Sequence, residues 1–217
     1  MFSATLNQLP PDPLADSELA STVATLMQSR QTILPKRLGD PGPDARQLRM
    51  ILQAAASAPD HGQLRPWRFV RVPLSERGQL ADVFGAALLE RDAAATSEQV
   101  AQAHEKAHRA PLLLLAIVDG RHDDSGIDLA ERMVSVGCAL QNMLLMATAL
   151  GYGSALTSGK ALKSTGLRQL FGLNDEEQAL CFLSIGTPKS RKSARQRPAP
   201  GDYVSTLGPS GAPVPGF

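Results

Sequence analysis

The chain has 217 residues, 43% of them hydrophobic and 20% charged; that length suits one domain, and that balance is too apolar for disorder and too polar for a polytopic membrane protein. Lys and Arg number 22 against 21 Asp and Glu, for a formal net charge of +1. No whole-molecule field therefore draws it to nucleic acid or an anionic membrane, and any anion site must be local.

Two cysteines, Cys138 and Cys181, lie in apolar stretches. They cannot form a disulfide framework, and the expected compartment is a reducing cytoplasm. Residues 1–14 carry Pro10, Pro11 and Pro13 without a basic or continuous apolar segment, so export is not expected. The segment 1–16 reads as an N-terminal extension.

The first predicted helix spans 17–28, with Ser17 as N-cap and Leu19, Val23, Leu26 and Met27 at helical spacing. Pro35, Gly39, Pro41, Gly42 and Pro43 predict a loop over 33–43. A second helix is expected over 44–57, then a loop over 58–66. Trp67-Arg68-Phe69-Val70-Arg71-Val72 reads as a strand from its β-branched and aromatic content.

Helices are predicted over 75–91 and 96–109, the second with capping-box spacing from Thr96 to Gln99 and a polar surface. Pro111 to Val118 is a continuous apolar run, expected as a strand buried on both faces at the sheet centre. A long helix over 127–150, closed by Gly151, follows. Residues 133–159 contain no charge, but Ser135, Gly137, Gln141, Asn142, Thr148 and Gly151 suit a helix buried in a soluble protein better than a membrane span.

A short strand over 153–157, a helix over 160–171 and a buried strand over 179–186 closed by Gly186-Thr187-Pro188 complete the core. Residues 189–217 form a Pro-, Gly- and base-rich tail with one candidate strand over 202–207. Helices before and between the strands give an α+β class around one central sheet.

Absent signatures narrow the function. The chain has no G-x-x-x-x-G-K-[ST], no G-x-G-x-x-G between strand and helix, no G-x-S-x-G and no H-E-x-x-H, which removes kinase, Rossmann, serine hydrolase and zincin readings. His104 and His108 are spaced as metal ligands but lack a third partner on a Lys- and Glu-rich helix, so no metal is expected.

What remains is polar residues where elements turn into loops: Arg30-Gln31-Thr32, Asp60-His61-Gly62-Gln63, Thr157-Ser158-Gly159 and Lys189-Ser190-Arg191-Lys192. Each alone has an ordinary structural use as a dipole partner, cap or solvated terminus.

Together these segments resemble the nitroreductase family of flavin mononucleotide (FMN) enzymes, particularly its short members, over about 17–207. The resemblance rests on Arg30-Gln31-Thr32 at a helix end, Ala58-Pro59-Asp60-His61 leading to Pro66-Trp67-Arg68-Phe69, Gly151-Tyr152-Gly153 after the long helix, and Gly186-Thr187-Pro188-Lys189. Where much of the family has Ser and Asn in the loop before Pro-Trp, this chain has Asp60, His61, Gln63 and Arg65.

The resemblance implies a three-layer α/β/α sandwich with a mostly antiparallel central sheet and a long buried central helix, as a single FMN-binding domain over 17–207. It implies cofactor contacts from Arg30, Gln31, Thr32, Ser57, His61, Gln63, Leu156, Thr157, Ser158 and Arg191. The chemistry agrees: a phosphate needs a guanidinium and a hydroxyl, as in Arg30 and Thr32, with Lys189, Arg191 or Lys192 completing the clamp.

It also implies NADH or NADPH as donor and a nitroaromatic, quinone or similar small molecule as acceptor, reduced in alternating half-reactions. A homodimer with the flavin at the subunit interface is expected, since an all-apolar helix is hard to bury in a small monomer; nucleic-acid and membrane partners are not. No side-chain nucleophile is required, although His61, oriented by Asp60, is a candidate active-site group. A flavin-storage protein without turnover, or a member turned to another flavin reaction, remains open on the residues alone.

Overall fold

Among the described residues six α-helices and seven strands carry the fold, and their order follows from where the chain can cap, pair and alternate. A computed structural model describes residues 17–121, 126–191, 193, 196–209 and 211–216; the N-terminal extension, His122 and Lys192 lie outside the described residues. Helix α1 (Glu18–Ser29) starts where Ser17 Oγ accepts the Ala20 N–H at 3.0 Å. Helix α2 (Ala45–Ala55) opens with a full capping box between Asp44 and Gln47.

The loop expected between them is partly ordered. It contains a 3-10 turn and a two-residue strand, β1 (Leu38–Gly39), which pairs with Pro188 and Thr187. Only that distant partner makes it a strand. The same pairing overturns the reading of Gly186-Thr187-Pro188 as a terminator.

Strand β2 (Trp67–Arg71) leads through a 3-10 turn into α3 (Arg77–Arg91), then α4 (Ser97–Glu105) with the Thr96–Gln99 capping box as expected. Strand β3 (Leu112–Asp119) is buried along all but its last residue. Helix α5 (Leu129–Ala149), capped by Asp128 and Glu131, is followed by β4 (Gly153–Thr157). The helix expected over 160–171 is split, because Ser164 is extended and caps a separate helix, α6 (Thr165–Leu170).

Strand β5 (Glu177–Pro188) is longer than expected, and a surface hairpin of β6 (Ser205–Leu207) and β7 (Pro213–Pro215) replaces the single strand expected in the tail. The main sheet is antiparallel throughout, with β5 and β3 sharing the centre, β2 outside β3, and β4 and β1 along the other edge of β5.

Alternation along β3 divides the core. Leu112, Leu114, Ala116 and Val118 face α2 and α5, whereas Leu113, Leu115 and Ile117 face the α3, α4 and α6 layer. A register shift beyond Ala116 lets both Leu180 and Cys181 face the α5 side. Helix α5 buries Val136, Ala139, Leu140, Met143, Leu144 and Ala147, but its outer side leaves Val134 67% exposed. No helix among the described residues is long and apolar enough to cross a membrane.

Candidate functional site

The expected residues fall in two places, around β4 after the C-terminal end of α5 and in the loop 57–65 beside its N-terminal end. At its C-terminal end Gly151 takes φ +86°, the left-handed conformation that turns the chain into β4. Arg30 ends α1, its N–H bonded to the Leu26 carbonyl. Thr32 then bridges to Ser154, and the Ile33 N–H donates to the Ser154 carbonyl at 2.9 Å. Thr32 is thereby fixed beside Ser154 near the start of β4, and the chain after it runs parallel to that strand.

The basic tail returns to the same place: Arg191 donates to the Gly151 carbonyl at 3.4 Å and Arg197 to the Arg30 carbonyl at 2.9 Å. The buried Ser154 Oγ has no hydrogen-bond partner among the described residues. Arg30, Gln31, Thr32 and Arg191 thus lie about the start of β4, and Leu156, Thr157 and Ser158 follow further along the strand and past its end.

Thr157 and Ser158 also line a cavity of about 550 Å³. Its floor is apolar, built from Phe84, Leu88, Leu113 and Phe182, with Phe84 and Phe182 edge to face at 5.7 Å. Around it stand Lys36, Arg91, Lys106, Arg109 and Lys160, and among the described residues no Asp or Glu lines it. Arg109 pairs with Glu105, holding that carboxyl below its usual range. Among the described residues the other four cations have no carboxylate within 4.0 Å.

Composition and motif gave no sign of this basic set, because its members are scattered over four segments and only the fold assembles them. A wholly buried cation braces the wall that carries two of them. Arg77 donates through Nε to the Val72 carbonyl at 2.9 Å and through Nη1 to the Ala107 carbonyl at 2.6 Å, with the Arg109 and Ala110 carbonyls also in reach. Burial alone pushes its pKa down.

The second cluster is the loop 57–65 at the N-terminal end of α5. Ser57 is exposed, and a 3-10 turn over His61–Gln63 places Gly62, Gln63 and Arg65 at φ +68°, +53° and +49°. Two non-glycine residues in the left-handed region within one short loop are a strain that surrounding contacts must hold.

His61 is oriented by Glu131, whose Oε1 lies 3.0 Å from Nδ1, and not by Asp60 as the sequence suggested. Asp60 instead accepts the Arg65 N–H at 2.7 Å, leaving its Oδ1 buried and unpartnered among the described residues. Behind the loop Arg68 grips Glu177 with Nε at 2.5 Å and Nη2 at 2.9 Å, and this bonding holds the Glu177 carboxyl low.

Ser57, His61 and Gln63 do not line the cavity that Thr157 and Ser158 line. Among the described residues no group of three or more His, Cys, Asp or Glu is placed to hold a metal ion. His104 is a packing residue: a Cβ at Gly85 would stand 2.1 Å from its Nε2.

Comparison with known proteins agrees with this architecture. Residues 28–187 match the model of the Nitroreductase family. A Haemophilus influenzae protein named "Putative NAD(P)H nitroreductase" is 33% identical over 75% of this chain and 86% of its own length. A nitroreductase-like family protein from Bacillus cereus superposes with a TM-score of 0.71 at 18% identity, covering 85% of this chain and 95% of the other. A Desulfovibrio desulfuricans structure, described as a nitroreductase in complex with FMN, superposes with a TM-score of 0.61 at 23% identity over 81% and 91% of the two chains.

Proposed function

The chain belongs to the nitroreductase family, and from that premise we propose that it is an FMN-dependent oxidoreductase that oxidises NADH or NADPH and reduces nitroaromatic, quinone or related acceptors. The observation that carries this reading is the placement of Thr32 and Arg191 at the start of β4, whose far end, at Thr157 and Ser158, lines a cavity with an apolar floor and a cationic rim. These features fit FMN: a guanidinium and hydroxyl for the phosphate, an apolar floor for the ring system, and a buried Ser154 hydroxyl unpartnered among the described residues.

When bound, FMN supplies the electron chemistry, accepting hydride from reduced nicotinamide in one half-reaction and passing electrons to the acceptor in the next. The chain binds, orients and shields. Arg30 and Thr32, with Arg191, hold the phosphate. Ser158 lies one residue past the last β4–β5 pair, so its N–H is outside the ladder and serves as a donor to the ring edge. Gln31 serves the same edge, and Phe84, Leu88 and Phe182 keep water from the floor.

The remaining contacts come from a second copy of the chain. Ser57, His61 and Gln63 do not line the cavity, and the outer side of α5 presents Met133 and Val134 to solvent. A twofold dimer packed along that side carries the loop of each subunit toward the other's cavity. The unit 17–207 is one flavin-binding domain on this reading, and the two free cysteines fit a reducing cytoplasm.

Anaerobic addition of NADH or NADPH to the yellow protein tests the function. Bleaching at a catalytic rate, followed by recolouring with a nitroaromatic or quinone, is expected. A yellow protein inert to both donors would instead be a flavin store, and bleaching that no such acceptor reverses would indicate a different flavin reaction.

A further inference from the structure

We propose that the cavity's cationic rim selects an anionic acceptor, an aromatic nitro compound or quinone bearing a carboxylate, sulfonate or phosphate group. The inference rests on the reductase reading and deepens it by naming the acceptor's charge.

The argument begins from surplus charge. Among the described residues five cations and no carboxylate line a cavity of about 550 Å³. Arg109 is satisfied by Glu105. The phosphate of the proposed cofactor is met by Arg30, Thr32 and Arg191, none of which lines the cavity, so that phosphate does not account for the rim. Lys36 and Lys160 flank the Leu156–Ser158 segment, and one ammonium there is enough to balance charge on a reduced ring.

Arg91, at the C-terminal end of α3, and Lys106, in the turn after α4, remain. Both reach the cavity from its α3–α4 side, with no carboxylate within 4.0 Å among the described residues. Concave apolar walls focus the field of such charges and raise their attraction for an anion above what an open surface would give. A neutral acceptor fills the same floor without engaging them. The wall is also held in place, because Arg77 ties the start of α3 to the Ala107 and Ala110 carbonyls on either side of Arg109.

The reaction balances without a further reagent. For each NADH oxidised to NAD+, the nitro group takes up the hydride and a solvent proton and releases one oxygen as water, leaving the nitroso compound. The acceptor's anionic group takes no part in this and is read only by the rim.

The test uses the flavin-loaded protein, NADH as donor, and 4-nitrobenzoate against its neutral counterpart 4-nitrobenzamide. In the wild type kcat/KM is expected to favour the anion by about tenfold, and in the double variant R91Q/K106Q that ratio should fall to within about threefold of one. Titrating 4-nitrobenzoate into the oxidised protein without donor gives an independent readout through the flavin absorbance. There the Kd should rise about tenfold in the double variant, and added salt should weaken binding to the wild type more than to the variant.

Equal kcat/KM for the two acceptors in the wild type, or an anion preference that survives in the variant, would overturn the proposal. A preference for NADPH over NADH with none between the acceptors would also overturn it, assigning the rim to the donor. If NADH fails to bleach the protein at all, the reductase reading fails, while the absorbance titration still decides whether the rim selects anions.

Discussion

The cavity and the loop 57–65 are built on opposite principles. The cavity is a container, with an apolar floor and charges supplied by four separate segments. The loop presents exposed polar side chains on a backbone held at positive φ at Gly62, Gln63 and Arg65. On the reading proposed above, the container and the loop are halves of one site shared between two chains, with the exposed Met133 and Val134 of α5 on the surface that would join them.

The largest effect is expected from breaking the container. Arg77→Ala removes a buried guanidinium and strands the Val72 and Ala107 carbonyls, a loss of about 3–5 kcal/mol in folding stability by cavity formation and unmet hydrogen bonding. Urea unfolding should register it, with flavin affinity falling in parallel because the α3–α4 wall loosens. Arg30→Ala tests the proposed phosphate contact without touching the core. It should weaken flavin retention by about 1.5–3 kcal/mol, an order of magnitude or more in Kd, and leave the urea midpoint of the flavin-free protein close to the wild type.

At the loop end the expected effects are smaller. Hydrogen bonding from Arg68 depresses the Glu177 pKa, so the folded state binds fewer protons there than the unfolded chain does. The pair's contribution is therefore complete above the ordinary glutamate value near about 4.3 and is lost as pH falls through the depressed folded value. Arg68 is 40% exposed, which limits that contribution to about 1 kcal/mol. The difference in Tm between wild type and Glu177→Gln should be present at neutral pH and shrink as the solution is acidified below the glutamate range. Gly62→Ala places a Cβ at positive φ and 2.7 Å from Ile127 Cδ1. A cost of about 1 kcal/mol in stability is expected, since the isoleucine methyl can move but the backbone cannot relax.

Local structure was legible in the sequence wherever a local rule decided it. The Ser17 cap, the Thr96–Gln99 capping box, the bounds of β4 and the buried run of β3 all depend on neighbours within a few residues or on simple alternation. Strand β1 was not, because its two residues are extended only by pairing with Thr187 and Pro188. The split at Ser164 was missed for a related reason: a serine that caps a new helix reads, by pattern alone, like one inside a longer helix.

The site divides in the same way. The Arg30–Thr32 strip and Thr157-Ser158 were identifiable as polar residues at element ends. The partner of His61 was not, since Glu131 stands 70 positions away while Asp60 is adjacent. Nor was the basic rim, whose members meet only once α3, α4 and β4 are packed.

The most direct test of a site shared between two chains is complementation between lesions at its two halves. Arg30→Ala and His61→Ala proteins, each flavin-depleted, are unfolded together, refolded as a mixture and supplied with FMN, with each protein refolded alone as control. If each site takes Arg30 from one subunit and His61 from its partner, mixed dimers carry one intact site. Random pairing then restores wild-type flavin affinity and turnover to about a quarter of all sites. A mixture that behaves as the average of its two components would place both residues in one subunit's site and contradict the account.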